Sequence, residues 1–326
     1  MANSSPIARI QAVVSDDFAA VDQHIHHQLS SDVPLVQTIG NYIVNAGGKR
    51  LRPLLVLLSA RACGFEGESR IALAAVIEFL HTATLLHDDV VDTSDLRRGR
   101  DTANAKWGNA PSVLVGDFLY SRAFEMMVDI SDLEVMRILS NATTVIAQGE
   151  VLQLMKVRDA STSEATYMDV IRAKTAMLFE ASTHAAAVLS GVDKTHQSAL
   201  QQYGDKLGIA FQLIDDLLDY QGDAQEMGKN VGDDLAEGKP TLPLIYTMRE
   251  GTPAQSVLVR EAIQKGGLDH IDAISEAVRD SGALTYTAKL AQRYADDAIQ
   301  SLAALPASEA RTAMESLAEF SVARSF

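Results

Sequence analysis

The chain is poor in what several protein classes require. A single cysteine, Cys63, among 326 residues rules out an intrachain disulfide, and a chain of this size without bridges is at home in a reducing compartment. Basic residues are outnumbered, 28 against 43 acidic ones, for a net charge of -15. The positive surface of a nucleic-acid binder is missing, so no nucleic acid is expected as a partner. Met1-Ala2-Asn3-Ser4-Ser5-Pro6 has no basic stretch leading into an apolar one, so no leader is expected and the reading places the protein in the cytoplasm. No window approaches ~18 uninterrupted apolar residues, because Ile71 to Leu86 is broken by Glu78, His81, Thr82 and Thr84. A membrane span is therefore not expected. Sustained alternation of apolar and polar residues is also lacking, which removes the main sign of a sheet.

What the chain does have is apolar residues, 47% of the total, recurring three and four positions apart. The periodicity predicts helices over 13–29, 35–44, 54–62, 69–92, 112–128, 135–154, 167–189 and 201–220, with two or three more between 269 and 323. The expected fold is all-α, with residues 1–326 as one domain.

Two acidic clusters interrupt this apolar background. His87-Asp88-Asp89-Val90-Val91-Asp92 ends the run from Ile71, and Asp215-Asp216-Leu217-Leu218-Asp219 repeats the spacing after Leu207 to Ile214. At ~3.6 residues per turn, the first and last aspartates of each cluster share a face and the middle one lies on its flank. Closely packed carboxylates repel, so a chain that builds two such faces is expected to bring cations to them. With no cysteine or histidine interspersed among the aspartates, a hard ion is favoured, and Mg²⁺ held by one or two carboxylates plus substrate phosphates fits best.

Basic residues lie in the loops nearby. Gly47-Gly48-Lys49-Arg50-Leu51-Arg52-Pro53 is either a solvated turn or an anion cradle, since glycine admits close backbone approach and a helix N-terminus favours negative charge. Arg97 and Arg98 either neutralise the aspartates or meet the other oxygens of a diphosphate. Lys174-Thr175 places a cation and a hydroxyl in an apolar helix, where a lysine usually snorkels outward. Gln212 lies three residues before Asp215 and shares its face. The glycine-rich stretch from Gly222 to Lys239 is long for a compact domain, and its composition is that of a lid.

Together, Gly47 to Pro53, His81-Thr82-Ala83-Thr84-Leu85-Leu86-His87-Asp88-Asp89-Val90-Val91-Asp92, Arg97-Arg98-Gly99 and Phe211-Gln212-Leu213-Ile214 with the second cluster resemble the trans-isoprenyl diphosphate synthases. Gly149-Glu150-Val151-Leu152-Gln153-Leu154 and Gly228-Lys229-Asn230-Val231-Gly232-Asp233-Asp234 bring the resemblance nearest to the bacterial octaprenyl branch. The resemblance runs from Asn41 to Leu244 and more weakly to the end.

It implies one large antiparallel helical bundle, the isoprenoid synthase fold, around a deep apolar cavity, with the acidic motifs facing each other at its mouth. By the same resemblance Asp88, Asp92, Asp215 and Asp219 form the metal set for Mg²⁺, with Asp89 and Asp216 supporting it. Arg97, Lys174, Thr175, Gln212, Lys229 and Lys239 resemble the contacts of an allylic diphosphate such as farnesyl diphosphate. Lys49, Arg52, His81 and Arg98 resemble the site for isopentenyl diphosphate. A homodimer that makes a long-chain, octaprenyl product for a quinone side chain is implied as well.

Family members that stop early carry a bulky aromatic four or five positions before the first cluster. Here those positions are Thr84 and Ala83, with Leu80 further down the stripe, so the floor is expected lower, near Met126 and Met127. A terpene cyclase would share the first motif but would not need Lys49, Arg52 and His81. A non-catalytic regulatory subunit would be expected to lose aspartates that are intact here.

Overall fold

The computed structural model describes residues 5–97, 99–221 and 232–323. Arg98 and Lys229, both expected site residues, lie outside the described residues. Most of the described residues are helical: α1 Pro6–Ala12, α2 Ser15–Gln28, α3 Pro34–Val44, α4 Leu51–Ala62, α5 Ser69–Val91, α6 Ala103–Trp107, α7 Asn109–Ile130, α8 Leu133–Lys156, α9 Glu164–Ile171, α10 Met177–Leu189 and α11 Lys194–Gln221. Further helices follow at Leu242–Glu250, Pro253–Lys265, Ile271–Asp280, Ala283–Ser301 and Glu309–Val322. The all-α expectation holds with one small correction: Leu96–Arg97 and Arg100–Asp101 form a two-stranded antiparallel hairpin where a plain loop was expected. Strands this short carry no alternation for a sequence to show.

The chain divides into two compact units. The first comprises Met1–Thr143, Leu178–Gly204 and Ile299–Leu317. Its centre is α5, which packs against α7, α4 and α2. Leu73, Ile77, Phe79 and Leu80 on α5 are wholly or almost wholly buried, as is every residue of α4 from Leu54 to Ala60. Each large side chain so buried contributes roughly 1.5–3 kcal/mol. By length and composition α5 could cross a membrane, contrary to the reading from uninterrupted runs. Glu78, His81, Thr82 and Thr84 break the run without lowering its mean hydropathy enough, and burial against its neighbours is what explains its apolar character.

Helix α5 ends by a backbone device. Thr93 takes φ 51°, in the left-handed region, while its N–H reaches the Val90 carbonyl at 3.3 Å and the Ser94 N–H reaches that of Asp89 at 3.0 Å. This is the paired bonding of a Schellman motif, with a β-branched residue where glycine is usual. It stops the helix at the first acidic cluster.

The second unit comprises Thr144–Met177, Asp205–Ala298 and Ala318–Phe326. Its core joins Tyr167 and Ile171 of α9, Ile209 to Leu218 of α11 and the buried faces of the following helices, among them Leu242, Val259, Ile274 and Leu284. Between α9 and α10 the backbone widens into a π-helical turn, Arg172–Ala176. The regular helix expected over 167–189 is therefore interrupted at Lys174 and Thr175, where such bulges often mark functional sites.

Candidate functional site

In the first unit, Asp88, Asp89 and Asp92 occupy the last turn and the cap of α5, and the Asp92 N–H bonds the Asp88 carbonyl at 2.8 Å. That bond keeps Asp88 and Asp92 one turn apart on one side. A helix C-terminus carries negative partial charge, so carboxylates there are disfavoured twice, by each other and by the dipole. No basic residue lies in that last turn. Asp89 is fully buried, and the guanidinium of Arg97 donates to its Oδ1 from Nε at 2.9 Å and Nη2 at 2.7 Å. The hairpin arginine therefore neutralises the middle aspartate, leaving Asp88 and Asp92 half-buried at the edge.

Lys49 lies in the loop before α4, and Arg52 in its first turn. Arg52 Nη1 lies 3.2 Å from Nε2 of His81 on α5, and its guanidinium stacks over the Phe179 ring at 4.6 Å. Three of the residues expected for isopentenyl diphosphate thus belong to this unit, two of them in contact. Along α5 below the cluster, Ala83 and Leu80 are buried, while Thr84 is half-buried and donates to the His81 carbonyl at 2.8 Å. Met126 and Met127 are buried on α7, the main packing partner of α5.

In the second unit, a chain of hydrogen bonds begins at the π-helical turn. Thr175 Oγ1 donates to Gln212 Oε1 at 2.8 Å, Gln212 Nε2 donates to Asp216 Oδ1 at 2.7 Å, and Tyr167 Oη donates to Asp216 Oδ2 at 2.5 Å. The partner of Gln212 is thus Asp216 four residues on, where shared placement with Asp215 was expected; both lie about one turn away. Burial pushes the Asp216 carboxyl up, as do the charges of Asp234 and Asp215, while its two donors act the other way. Asp219 is also buried, and Asp215 is half-buried. As in the first unit, the cluster ends its helix with no basic residue in the last turn.

Lys174 does not snorkel. Its Nζ donates to Glu150 Oε2 at 2.7 Å and to Gln153 Oε1 at 2.8 Å, two acceptors one turn apart on α8. Gly149 makes this possible: a Cβ there would lie 2.7 Å from Ala173 Cβ and 3.0 Å from the Lys174 nitrogen. Gly149→Ala is expected to push the π-helical turn away from α8 and to cost about 1–3 kcal/mol. A thermal melt unchanged from wild type would contradict this. Lys239 pairs with Glu237, and its N–H bonds the Asp234 carbonyl at 2.8 Å.

A divalent ion fits this donor set. Among the described residues no three acidic or imidazole side chains converge to hold a metal unaided. Two carboxylates on one helical side, at a negative helix end, suit an ion that takes its remaining oxygens from phosphates and water. The residues missed from sequence are Tyr167, which meets Asp216 across 49 positions, and Arg50, whose partners lie on α2 and α5. Neither partnership has a local spacing that would reveal it.

The Polyprenyl synthetase family model matches residues 33–280. An octaprenyl diphosphate synthase of Haemophilus influenzae is 52% identical over 321 residues, covering 98% of each chain. A geranyl-diphosphate-specific all-trans-nonaprenyl-diphosphate synthase of Rhodobacter capsulatus is 47% identical over 316 residues, covering 97% of each. The crystal structure of a polyprenyl synthase from Caulobacter crescentus, complexed with calcium and isoprenyl diphosphate, superposes with a TM-score of 0.94 at 46% identity, covering 98% of each chain.

Proposed function

Since this chain belongs to the polyprenyl synthetase family, we propose that it extends an allylic diphosphate such as farnesyl diphosphate with successive isopentenyl diphosphate units to an all-trans octaprenyl diphosphate. The chain is a long-chain prenyltransferase. The observation that carries the two-substrate reading is the basic set Lys49, Arg52 and His81 beside a complete acidic cluster in one unit. A cyclase with one diphosphate to bind has no use for that set. Octaprenyl is the product of a relative at 52% identity and nonaprenyl of one at 47%, so the eighth unit is the proposed stopping point.

Magnesium is the proposed ion; Asp88 and Asp92 are proposed as carboxylate ligands in the first unit, and Asp215 and Asp219 as a separate pair in the second. When bound it supplies positive charge to the leaving diphosphate. Arg97, Lys174, Lys229 and Lys239 are proposed as contacts of the allylic diphosphate that stabilise negative charge developing on it. The Gln212 side-chain carbonyl, held by Thr175 Oγ1, supplies a fixed dipole that favours the allylic cation without reacting with it. Lys49, Arg52, His81 and Arg98 bind isopentenyl diphosphate so that its double bond adds to that cation. The proton then lost passes to the departing diphosphate, an anion already at hand, so no side chain is assigned as base.

The reading of residues 1–326 as one functional domain is supported by a family match that runs through both units. A homodimer is supported by large apolar side chains left at the surface, Leu114, Val128 and Leu133 in the first unit and Val151, Leu154 and Met155 in the second. The cytoplasmic placement rests on the lone cysteine. Service as a quinone side-chain source follows from the proposed product.

Incubating the purified chain alone with Mg²⁺, farnesyl diphosphate and labelled isopentenyl diphosphate tests the proposal. Chromatography should show labelled polyprenyl diphosphate with eight units as the main species. Consumption of farnesyl diphosphate into a hydrocarbon without label would indicate a cyclase. No product until a partner subunit is added would indicate a regulatory role.

A further inference from the structure

We propose that Arg50, although it stands between two residues assigned to isopentenyl diphosphate, is a positioning residue that holds their loop in register with His81. Its side chain makes three attachments away from any ligand. Nη1 pairs with Asp22 on α2, Nη2 donates to the Val44 carbonyl at the end of α3 at 3.2 Å, and Nε lies 4.0 Å from Glu78 on α5. Glu78 precedes His81 by three residues, so the carboxylate that faces Arg50 lies one turn below the imidazole that Arg52 contacts. A single guanidinium thereby ties the loop to the helix that carries the third basic group.

The backbone explains why such a tie is needed. Gly47 and Gly48 both have positive φ, 81° and 133°, and Arg50 itself takes φ 44° and ψ 49°, a left-handed conformation unfavourable to a residue with a side chain. Two consecutive glycines leave a loop that many conformers could satisfy. Side chains from elsewhere in the same unit select one of them: Gln11 donates to the Lys49 carbonyl at 3.3 Å and Arg100 to that of Asn45 at 3.2 Å. Arg50 is the central attachment, largely buried, with Glu78 also shielded and Asp22 nearer the surface. Its charge is matched inside the fold by Asp22 and Glu78. A preorganised cradle binds its anion without first ordering the loop, and this is the benefit assigned to Arg50.

This inference rests on the assignment of Lys49, Arg52 and His81 to isopentenyl diphosphate, and the test separates the two. Affinity for isopentenyl diphosphate is measured by calorimetry, independently of turnover, and KM is measured for each substrate in turn. Arg50→Ala is expected to weaken isopentenyl diphosphate binding and raise its KM by about tenfold, with the KM for farnesyl diphosphate unchanged. Arg50→Gly, which frees the left-handed backbone but removes the tie, should behave like Arg50→Ala. Arg50→Lys should restore part of the affinity. Where Arg50→Ala does not fold, Glu78→Gln, which leaves the Asp22 pair in place, carries the same test with a smaller expected shift. Equal changes for both substrates, or a lowered melting temperature with isopentenyl diphosphate affinity intact, would overturn the proposal. Selective loss of isopentenyl diphosphate affinity in a wild type that makes no polyprenyl product would sustain the positioning role and defeat the proposed function. A wild type that does not bind isopentenyl diphosphate would defeat both.

Discussion

Asp88→Ala is expected to lower kcat by about 10³-fold, the equivalent of several kcal/mol of lost charge stabilisation, while the metal-free protein keeps its stability. The two expectations have one origin. Asp88 stands at the negative end of α5, beside Asp89 and Asp92, with no basic residue in the last turn. Without a cation, removing one carboxylate relieves a repulsion, which at a helix end is worth about 0.3–1 kcal/mol. With a cation and a diphosphate in place, the same carboxylate is one of two first-cluster groups assigned to hold the ion. Steady-state kinetics across a magnesium titration, with a thermal melt in chelator, checks both halves. A loss of less than tenfold, or a melt lowered as far as a core truncation would lower it, would mean that the cluster is structural.

The second large effect is on product length. Thr84→Phe should leave the first condensation running and cut the product to half its native length or less. Thr84 lies one turn, roughly 6 Å along the axis, below Asp88 on α5, and a phenyl ring there would close the space that a growing chain must enter. The structure separates Thr84 from its neighbour as a place to do this. Thr84 is half-buried, with its hydroxyl turned back to the His81 carbonyl, so a larger side chain can project. Ala83 is fully buried, so Ala83→Tyr should also shorten the product but at a cost of about 1–3 kcal/mol from overpacking. Chromatography of labelled products reads the outcome directly; an unchanged distribution in Thr84→Phe would place the length control elsewhere.

Two of the alternatives left open by the residues are narrowed by these contacts. Arg97 neutralises Asp89 in the structure, so its proposed contact with diphosphate must compete with that pair or extend it. Lys174 is held by Glu150 and Gln153, which keeps its ammonium inside the second unit when no ligand is present. Both cations thus have protein acceptors in the free state, which offsets the desolvation of a partly buried charge until a diphosphate arrives.

The fold class, the two acidic clusters, the basic loop and the small residues before the first cluster are all legible in the amino-acid order. These are local facts: a helix repeats every ~3.6 residues, so spacing alone says which side chains share a side. The π-helical turn at Arg172–Ala176 is not legible there, since widening by one residue leaves no mark in composition. Nor could the sequence show that Arg50, one of three cations in a short loop, meets Asp22 and Glu78, each 28 residues away in the chain. The same holds for Tyr167 on Asp216 and for Gly149 against Lys174. Contacts between helices depend on which faces meet, and that is settled by burying the whole apolar surface at once. Pairings such as Arg50 with Asp22, Arg97 with Asp89 and Lys174 with Glu150 therefore emerge with the folded packing and not with the spacing.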